Sequence, residues 1–457
     1  MNKSLFNEFD PITAKAWKLK IQSDLKGVDY NDALIWNSIE GIDVKPFYHN
    51  DDQNEFNNNC NTKAAQWNIC QAVYVMDVEP ANAKAINALQ RGAESIKFIL
   101  PSKNISIEAL LQNIDVVTTP IHFKMNFLSK EFTNSINQLA LKYNGSFYVQ
   151  TDIIGNLAKS GNWYSNYEDD HHSLNAIIMS TSALKSSISI DVALYQNAGA
   201  TIIQQLAYAI AHTNEYLNNF GDKIQDSITF NVSVGSNYFF EIAKLRALRL
   251  LWKTLASEYY DHIPNCHINV VPSKRNKTIY DYNTNMLRST TECMSAILGG
   301  ANTITNLPYD AIYHKDNEFG ERIARNQLLV LKHESYFNKV NNPAEGSYYI
   351  ETLTQQFAEK SLELFKNIEK SGGFLKQLIE GTIQRKIKES DANEKQQFTS
   401  GKIVLLGTNK YPNLDDKMSD DLELYPFSKS KTRKTLIEPI IEKRLAETVE
   451  QERLKKE

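Results

Sequence analysis

Short runs rich in β-branched residues alternate with longer amphipathic runs over most of this chain, from Cys70 to Pro308. The short runs have the length of buried strands, and the runs between them have the length of helices. Eight strands are predicted: CQAVYVMD from Cys70, SIKFILP from Ser95, IHFKMNF from Ile121, SFYVQTD from Ser146, SISIDVAL from Ser187, ITFNVSVG from Ile228, HINVVPS from His267 and ANTITNLP from Ala301. This alternation predicts an α/β fold, a parallel (β/α)8 TIM barrel. A doubly wound sheet is the alternative, because periodicity alone does not distinguish an open sheet from a closed one.

Two of the intervening segments carry clear helix signals. The helix after the sixth strand, from Tyr238, has an apolar face at Phe239, Ile242, Leu245 and Leu248. The helix after the seventh strand is expected to stop at Gly299–Gly300, since glycine commonly ends a helix.

Three regions are predicted along the chain: an N-terminal arm over residues 1–62, the barrel over 63–350, and a helical extension with a linker over 351–457. In the extension, a helix pair is interrupted at Gly372–Gly373, and Lys410–Ser430 is predicted to be a solvated acidic loop. The tail, Glu438–Glu457, is predicted to be a charged helix with an apolar stripe at Ile441, Leu445 and Val449.

Composition and charge exclude several classes of protein. The 457 residues carry a net charge of −4, so no basic face for nucleic acid is expected. There is no run of about 18 apolar residues, as a membrane span requires, and the start MNKSLFNEFDPITAKAW is unlike a signal peptide. We therefore expect a cytoplasmic protein. The cysteines form no CxxC pair and are expected to be reduced thiols, mostly buried: Cys60, Cys70, Cys266 and Cys293.

The usual motifs of catalytic and nucleotide-binding sites are absent from the sequence. GxGxxG, GxSxG and GxxxxGK[ST] do not occur, and HESYF from His333 has Phe337 where HExxH needs its second histidine. His171–His172 follows the acidic run EDD, which allows two interpretations, a metal site or a charged loop. The loop is favoured, since metal ligands normally come from rigid, spaced positions.

In a parallel barrel the catalytic groups lie at the carboxyl ends of the strands. The polar residues predicted there include no histidine, so a general acid or base tuned near neutral pH is not evident. They are Asp77, Glu79, Ser102, Gln150, Thr151, Asp152, Asp191–Asn197, Ser233, Asn237, Ser273, Lys274, Arg275, Thr305 and Asn306. Asp77 with Lys274 is a candidate acid–cation pair, but a structural salt bridge or unrelated loop charges are the favoured interpretation.

Several segments resemble the methylmalonyl-CoA mutase family. They occur in family order over nearly the whole chain: GIDVKPFY from Gly41, NYFFEIAKLRALRLLW from Asn237, MLRSTTECMSAILGGANTITNLPYD from Met286, ARNQLLVLKHESYFNKVNNPAEGSYYIETLT from Ala324, GKIVLLGTNKY from Gly401 and EKRLAETVEQERL from Glu442.

This resemblance implies a radical rearrangement of (R)-methylmalonyl-CoA to succinyl-CoA. In the family, the CoA ester threads through the barrel. Adenosylcobalamin, held by a separate C-terminal domain, caps the barrel and supplies the radical. The resemblance also implies, for many bacteria, two related chains: a large catalytic subunit and a small subunit that does no chemistry.

Three departures from the family pattern distinguish the two kinds of chain. No histidine has Asp two residues before it and Gly three residues after it, as in the family's cobalt-binding D-x-H-x-x-G, and this chain is expected to lack that domain. Ile188–Ala200 reads ISIDVALYQNAGA where catalytic chains read ISISGYHMQEAGA, so Leu194 stands where the family has its catalytic histidine. Ile304 precedes Thr305–Asn306 where catalytic chains have another histidine. Leucine can neither donate a hydrogen bond to a thioester carbonyl nor move a proton.

The resemblance therefore implies the small, catalytically inactive subunit of a heterodimeric, adenosylcobalamin-dependent methylmalonyl-CoA mutase. Its partner would be the large catalytic subunit, which would bind the adenosylcobalamin. No catalytic, cofactor-binding or metal-binding residue is expected on this chain. Subunit contact is expected through the N-terminal arm, and Val192 and Leu194 are expected to fill the barrel mouth. Two alternatives stay open: a barrel subunit whose cobalamin domain is a separate chain, and a regulatory protein that binds CoA esters without turnover.

Overall fold

The computed structural model describes residues 10–52, 64–224, 228–429 and 433–457. Its strands are β1 (Trp36–Asn37), β2 (Asp43–Val44), β3 (Asn68–Tyr74), β4 (Ser95–Leu100), β5 (Ile121–Met125), β6 (Phe147–Gln150), β7 (Ser189–Asp191), β8 (Thr229–Val234), β9 (His267–Pro272) and β10 (Thr303–Ile304). β1 and β2 form an antiparallel pair in the N-terminal arm.

The last eight strands form one parallel sheet in the order β6-β5-β4-β3-β10-β9-β8-β7. A parallel bridge between Tyr148 and Ser186 joins the two edge strands, so the sheet closes on itself. All eight predicted barrel strands are present, and the (β/α)8 barrel is confirmed in preference to a doubly wound sheet.

Helices surround the barrel and form the arm and the extension. They are α1 (Ala14–Asp24), α2 (Tyr30–Leu34), α3 (Val78–Gln90), α4 (Ile107–Leu110), α5 (Lys130–Tyr143), α6 (Ile153–Ser160), α7 (Tyr167–Ser180), α8 (Val192–Asn197), α9 (Ile202–Phe220), α10 (Tyr238–Ala256), α11 (Thr284–Leu298), α12 (Glu318–His333), α13 (Tyr348–Lys370), α14 (Phe374–Ile379), α15 (Thr382–Thr399) and α16 (Glu447–Leu454).

The predicted helix boundaries at paired glycines are confirmed. α11 stops before Gly299–Gly300, and Gly300 has φ +86°, a left-handed conformation that costs glycine little. α13 and α14 are separated at Gly372–Gly373, both of which have positive φ. On α10, Ile242, Leu245 and Leu248 are buried as predicted. Phe239 on the first turn is exposed, and its ring packs edge-on against Tyr349 of α13 instead.

The N-terminal arm lies against the helices outside the barrel. Its aromatic side chains make the contact: the Trp36 ring lies 5.5 Å from Phe240 on α10, and Tyr48 lies 4.9 Å from Tyr349 on α13. The buried Glu40 carboxyl group accepts a hydrogen bond from the Ile203 backbone N–H at the start of α9, at 3.3 Å. This contact joins the arm to α9.

The predicted acidic loop Lys410–Ser430 has no helix or extended strand in its described part, yet it is not simply solvated. Met418 and Phe427 are buried in one apolar cluster with Ile279 and Tyr313. The loop therefore packs on the barrel, a contact that its charged sequence obscured.

The predicted tail helix over Glu438–Glu457 is wrong in its first half, since only α16 is helical. Residues 433–446, which we call the strap, bond to the barrel instead. Three strap amides donate to barrel carbonyls: Ile440 to Ala158, Lys443 to Asn197, and Leu445 to Arg275, at 2.8–2.9 Å. Amides engaged in this way cannot make the i to i−4 bonds of a helix.

Candidate functional site

The lumen of the barrel is polar, which is unusual because TIM barrels are normally filled by branched aliphatic side chains. Along each strand the side chains alternate between the two faces. The apolar ones, such as Ile96, Phe98 and Phe123, belong to clusters packed under the helices. The alternate positions therefore face the lumen, and many are polar: Ser95, Lys97, His122, Lys124, Tyr148, Gln150, Ser189, Asp191, Thr229, Asn231, Ser233, His267, Asn269 and Thr303.

Three rings meet across this lumen and close it. His122 on β5 stacks on Tyr148 of β6, with centroids 4.6 Å apart. His267, on the opposite side of the barrel, lies 4.5 Å from Tyr148 and 5.4 Å from His122. We call these side chains the ring cluster. Burial lowers the pKa of His122 and lowers that of His267 to about 4, so both rings are neutral at physiological pH.

Above the ring cluster, toward the carboxyl ends of the strands, the lumen holds charged groups. Lys124 on β5 and Asp191 on β7 form an ion pair at 3.5 Å. The Asp191 charge raises the pKa of Lys124. Burial by itself raises the pKa of Asp191, but the charges of Lys124, Lys159 and Lys97 together outweigh burial and lower that pKa. Both groups are therefore charged at neutral pH.

α8, directly after β7, carries the residue that the sequence singled out. Leu194 is 1% exposed and belongs to the main apolar cluster, together with Val192 and Tyr195. An apolar side chain at this place offers no acid, base or hydrogen bond. Leu194 is a packing residue in this structure; its correspondence to the family's catalytic histidine stays a prediction.

A buried hydrogen-bond network beside α8 was missed by the sequence analysis. The Asp152 carboxylate accepts hydrogen bonds from the Tyr216 hydroxyl at 2.8 Å and from the Asp191 backbone N–H at 2.9 Å. It also contacts Nε2 of His212 at 3.0 Å, while Nδ1 of His212 lies 2.9 Å from the Tyr195 hydroxyl. The sequence placed Asp152 at the end of a strand. It gave no reason to select His212, because a single histidine on the apolar face of a helix such as α9 does not indicate a functional role. With these side chains buried, the network joins the ends of β6 and β7.

The other sequence candidates do not assemble into a site. Asp77 and Lys274 are both exposed, and no ion pair joins them within the described residues. Asn306 is buried and donates hydrogen bonds to the Ala324 carbonyl and to Gln327 on α12, so it joins a strand end to a helix.

The prediction of a charged loop at His171–His172 is wrong, because the segment from Tyr167 lies in the first turns of α7. Asn166 caps this helix, and the acidic run EDD lies at its N-terminus, where the helix dipole favours negative charge. Throughout the described part of the chain, no three His, Cys, Asp or Glu side chains converge as metal ligands would.

The cysteines agree with expectation where the structure describes them. Cys70, Cys266 and Cys293 are free and buried, and Cys60 lies outside the described residues. In the same ranges no helix is both long and apolar enough to span a bilayer.

Comparison with known proteins places this barrel in a family. The sequence model described as Methylmalonyl-CoA mutase matches residues 102–456. A Porphyromonas gingivalis protein named methylmalonyl-CoA mutase small subunit is 33% identical over 92% of this chain and 73% of its own length. The chain belongs to the methylmalonyl-CoA mutase family.

Other members of the family give the range of the similarity. The methylmalonyl-CoA mutase small subunit of Propionibacterium freudenreichii subsp. shermanii is 31% identical over 55% of this chain and 40% of its own. The methylmalonyl-CoA mutase of Cereibacter sphaeroides is 29% identical over 87% of this chain and 64% of its own. This chain thus spans about two thirds of the length of that relative.

The residues present do not fit the histidine-ligated cobalamin that the family implies. The sequence contains no D-x-H-x-x-G. After β10, at the carboxyl end of the barrel, His314 has both ring nitrogens engaged, by Asp310 at 3.2 Å and by Asp421 at 3.3 Å. Neither nitrogen is therefore available as a metal ligand without breaking a contact to a carboxylate.

Proposed function

We propose that this chain is the small, catalytically inactive subunit of a heterodimeric, adenosylcobalamin-dependent methylmalonyl-CoA mutase, which interconverts (R)-methylmalonyl-CoA and succinyl-CoA. The observation that carries the proposal is the ring cluster. A CoA ester that threads through the barrel needs an open lumen, and His122, Tyr148 and His267 occupy it with centroids no more than 5.4 Å apart.

Two further observations support the absence of chemistry on this chain. Leu194 is packed in the apolar core, and the strap is hydrogen-bonded across the carboxyl ends of the strands. The large subunit would then bind the CoA ester and the adenosylcobalamin, and this chain would stabilise it. A cytoplasmic location is part of the same proposal.

The N-terminal arm, residues 1–62, is the surface proposed for contact with the large subunit; 63–350 is the barrel and 351–457 the extension. In the described part of the arm, helix α1 buries none of its residues. Its side chain Trp17 and the neighbouring Ile12 are about half exposed, at 49% and 58%, and Trp36 is similarly exposed. These exposed apolar side chains are the proposed contact residues, because burial of apolar surface against a partner is favourable.

The test is to purify the tagged full chain from its native cells and identify what accompanies it at one-to-one stoichiometry. A longer related chain with D-x-H-x-x-G and the barrel histidine is the expected partner. Combining purified chains should then give mutase activity, and substitution of the partner's barrel histidine should abolish it.

Other partners would overturn the proposal in defined ways. A short cobalamin-domain chain alone would make this the barrel subunit. No partner, with binding of CoA esters by the isolated chain, would favour the regulatory interpretation. A control variant, Met179→Ala, removes an exposed apolar side chain on the distant helix α7 and should leave the pair intact, whereas Trp17→Ala with Trp36→Ala should weaken it.

A further inference from the structure

Lys97, on the lumen face of β4, differs from the other deeply buried lysines of the barrel. Lys244 is hydrogen-bonded to Gln196, Gln205 and the Ser233 carbonyl, and Lys277 pairs with Glu292 at 2.8 Å. Lys97 is only 8% exposed, yet within the described ranges its ammonium group has neither a hydrogen bond nor a carboxylate within ion-pair distance.

A buried cation without a partner is costly, so burial shifts the protonation equilibrium of Lys97 toward the neutral amine. The titratable groups that face Lys97 come from three strands: Cys70 on β3, His122 and Lys124 on β5, and Asp191 on β7. Burial, followed by the charge of Lys124, lowers the pKa of Lys97 to about 8. Roughly a tenth of the side chain is then a neutral, nucleophilic amine at pH 7.

Groups suited to a small anion lie beside Lys124, whose charge acts on this amine. Lys124 and Gln150 are paired Cα partners on β5 and β6, so their side chains lie next to each other in the lumen. Both amide atoms of Gln150 are buried without a protein hydrogen-bond partner. Such unpartnered groups destabilise the fold unless another molecule bonds to them.

Solvent reaches the charged groups above the ring cluster. The side chains of Lys124 and Asp191 are 34% and 20% exposed, and Tyr74, at the end of β3, is also exposed. The ring cluster closes the lumen below. A ligand of Lys97 would therefore approach from the side of Lys124 and Asp191.

We propose that Lys97 is a nucleophilic lysine that forms an imine with a short oxo acid in the upper lumen. The neutral Nζ adds to the carbonyl carbon and gives a carbinolamine. The carbonyl oxygen then leaves as water with the two amine protons, and a C=N bond remains. The ligand carboxylate pairs with the Lys124 ammonium and accepts a hydrogen bond from the Gln150 amide. This proposal does not depend on the subunit function.

Reductive trapping tests the proposal on the purified full chain. Pyruvate and sodium cyanoborohydride should convert one lysine to the reduced adduct, which peptide mass spectrometry should locate at Lys97. The rate of trapping should rise about tenfold per pH unit below pH 8 and level off above it, because the fraction of neutral Lys97 amine changes in the same way. Lys97→Met should abolish it, and Lys103→Met, which removes an exposed lysine, should not.

Lys124→Met distinguishes an oxo acid from a simple carbonyl compound. The variant lacks the ammonium group that is proposed to pair with the pyruvate carboxylate. It should therefore slow trapping by pyruvate at least tenfold more than trapping by acetone, which has no carboxylate. Circular dichroism would establish that each variant is folded. Labelling spread over surface lysines with Lys97 unmodified, equal labelling of the folded Lys97→Met variant, or equal slowing of the two probes would overturn the proposal.

Discussion

Arg275 is one of the side chains that hold the strap on the barrel, and the effect of its removal can be calculated. Arg275, in the loop after β9, pairs with Asp391 at 2.7 Å and with Glu394 at 2.6 Å, both on α15. Its guanidinium also donates to the Lys443 carbonyl at 3.0 Å, and its own carbonyl accepts the Leu445 N–H at 2.9 Å. Arg275 is buried, so it links the barrel, α15 and the strap.

Arg275→Ala should weaken the attachment of the strap by about 2 kcal/mol. Because both ion pairs of Arg275 are to α15, the strap itself loses only the hydrogen bond to the Lys443 carbonyl. A hydrogen bond from a charged donor contributes about 1.5–3 kcal/mol. At about 1.4 kcal/mol per factor of ten, a change of about 2 kcal/mol should raise the opening equilibrium of the strap about thirtyfold.

Native-state hydrogen exchange measures this opening at the amides of Lys443 and Leu445. The matched control is Lys388→Met, which removes an ion pair between α15 and the same strap at Glu438. Both groups of that pair are more than half exposed, so its loss should cost under about 1 kcal/mol and change exchange less than about fivefold. Equal exchange in the two variants would refute the anchoring role of Arg275.

Three further predictions concern the core, the lumen and the arm. Leu194→Ala should destabilise the fold by about 2–5 kcal/mol, while Leu287→Ala at an exposed site changes stability by under about 0.5 kcal/mol, compared by thermal unfolding. His122→Leu should be neutral or stabilising in the same assay, because both ring nitrogens of His122 are buried without partners; a loss above about 2 kcal/mol would contradict this. Burial raises the pKa of Glu40 to about 8 from an ordinary value of 4.5, so the folded chain binds more protons than the unfolded one between these values. Stability should therefore fall as pH rises from about 4.5 to 8, and Glu40→Gln should flatten that dependence in melting temperatures recorded across the range.

The barrel could be predicted from sequence because its strands carry a strong local signal. Runs such as SIKFILP and ITFNVSVG combine β-branched residues with flanking turns, and helices with glycine ends separate them. The strap could not be predicted, because its charged, periodic sequence fits a helix. Its conformation is fixed instead by barrel carbonyls such as that of Asn197, which are distant along the chain.

The polar lumen had a sequence signal that was not used. Parallel strands covered by helices normally have apolar side chains on both faces. Here IHFKM on β5 and FYVQ on β6 alternate apolar and polar residues, which places His122, Lys124, Tyr148 and Gln150 inside the barrel. The contact with His267 on the opposite side depends on barrel closure, which no local pattern contains.

Three separate parts of the chain support the proposed inactive role: the ring cluster on the strands, the apolar α8 with Leu194, and the strap at the carboxyl ends of the strands. The rings are held by stacking within the lumen, Leu194 by the apolar core, and the strap by Arg275. Because these interactions share few partners, their effects should be nearly additive and independent. A substitution that changes one of these three features toward the pattern of catalytic chains therefore leaves the other two in place. On this argument, Leu194→His alone supplies a titratable group but no open path to it, which is why the proposed inactive role does not rest on that one residue.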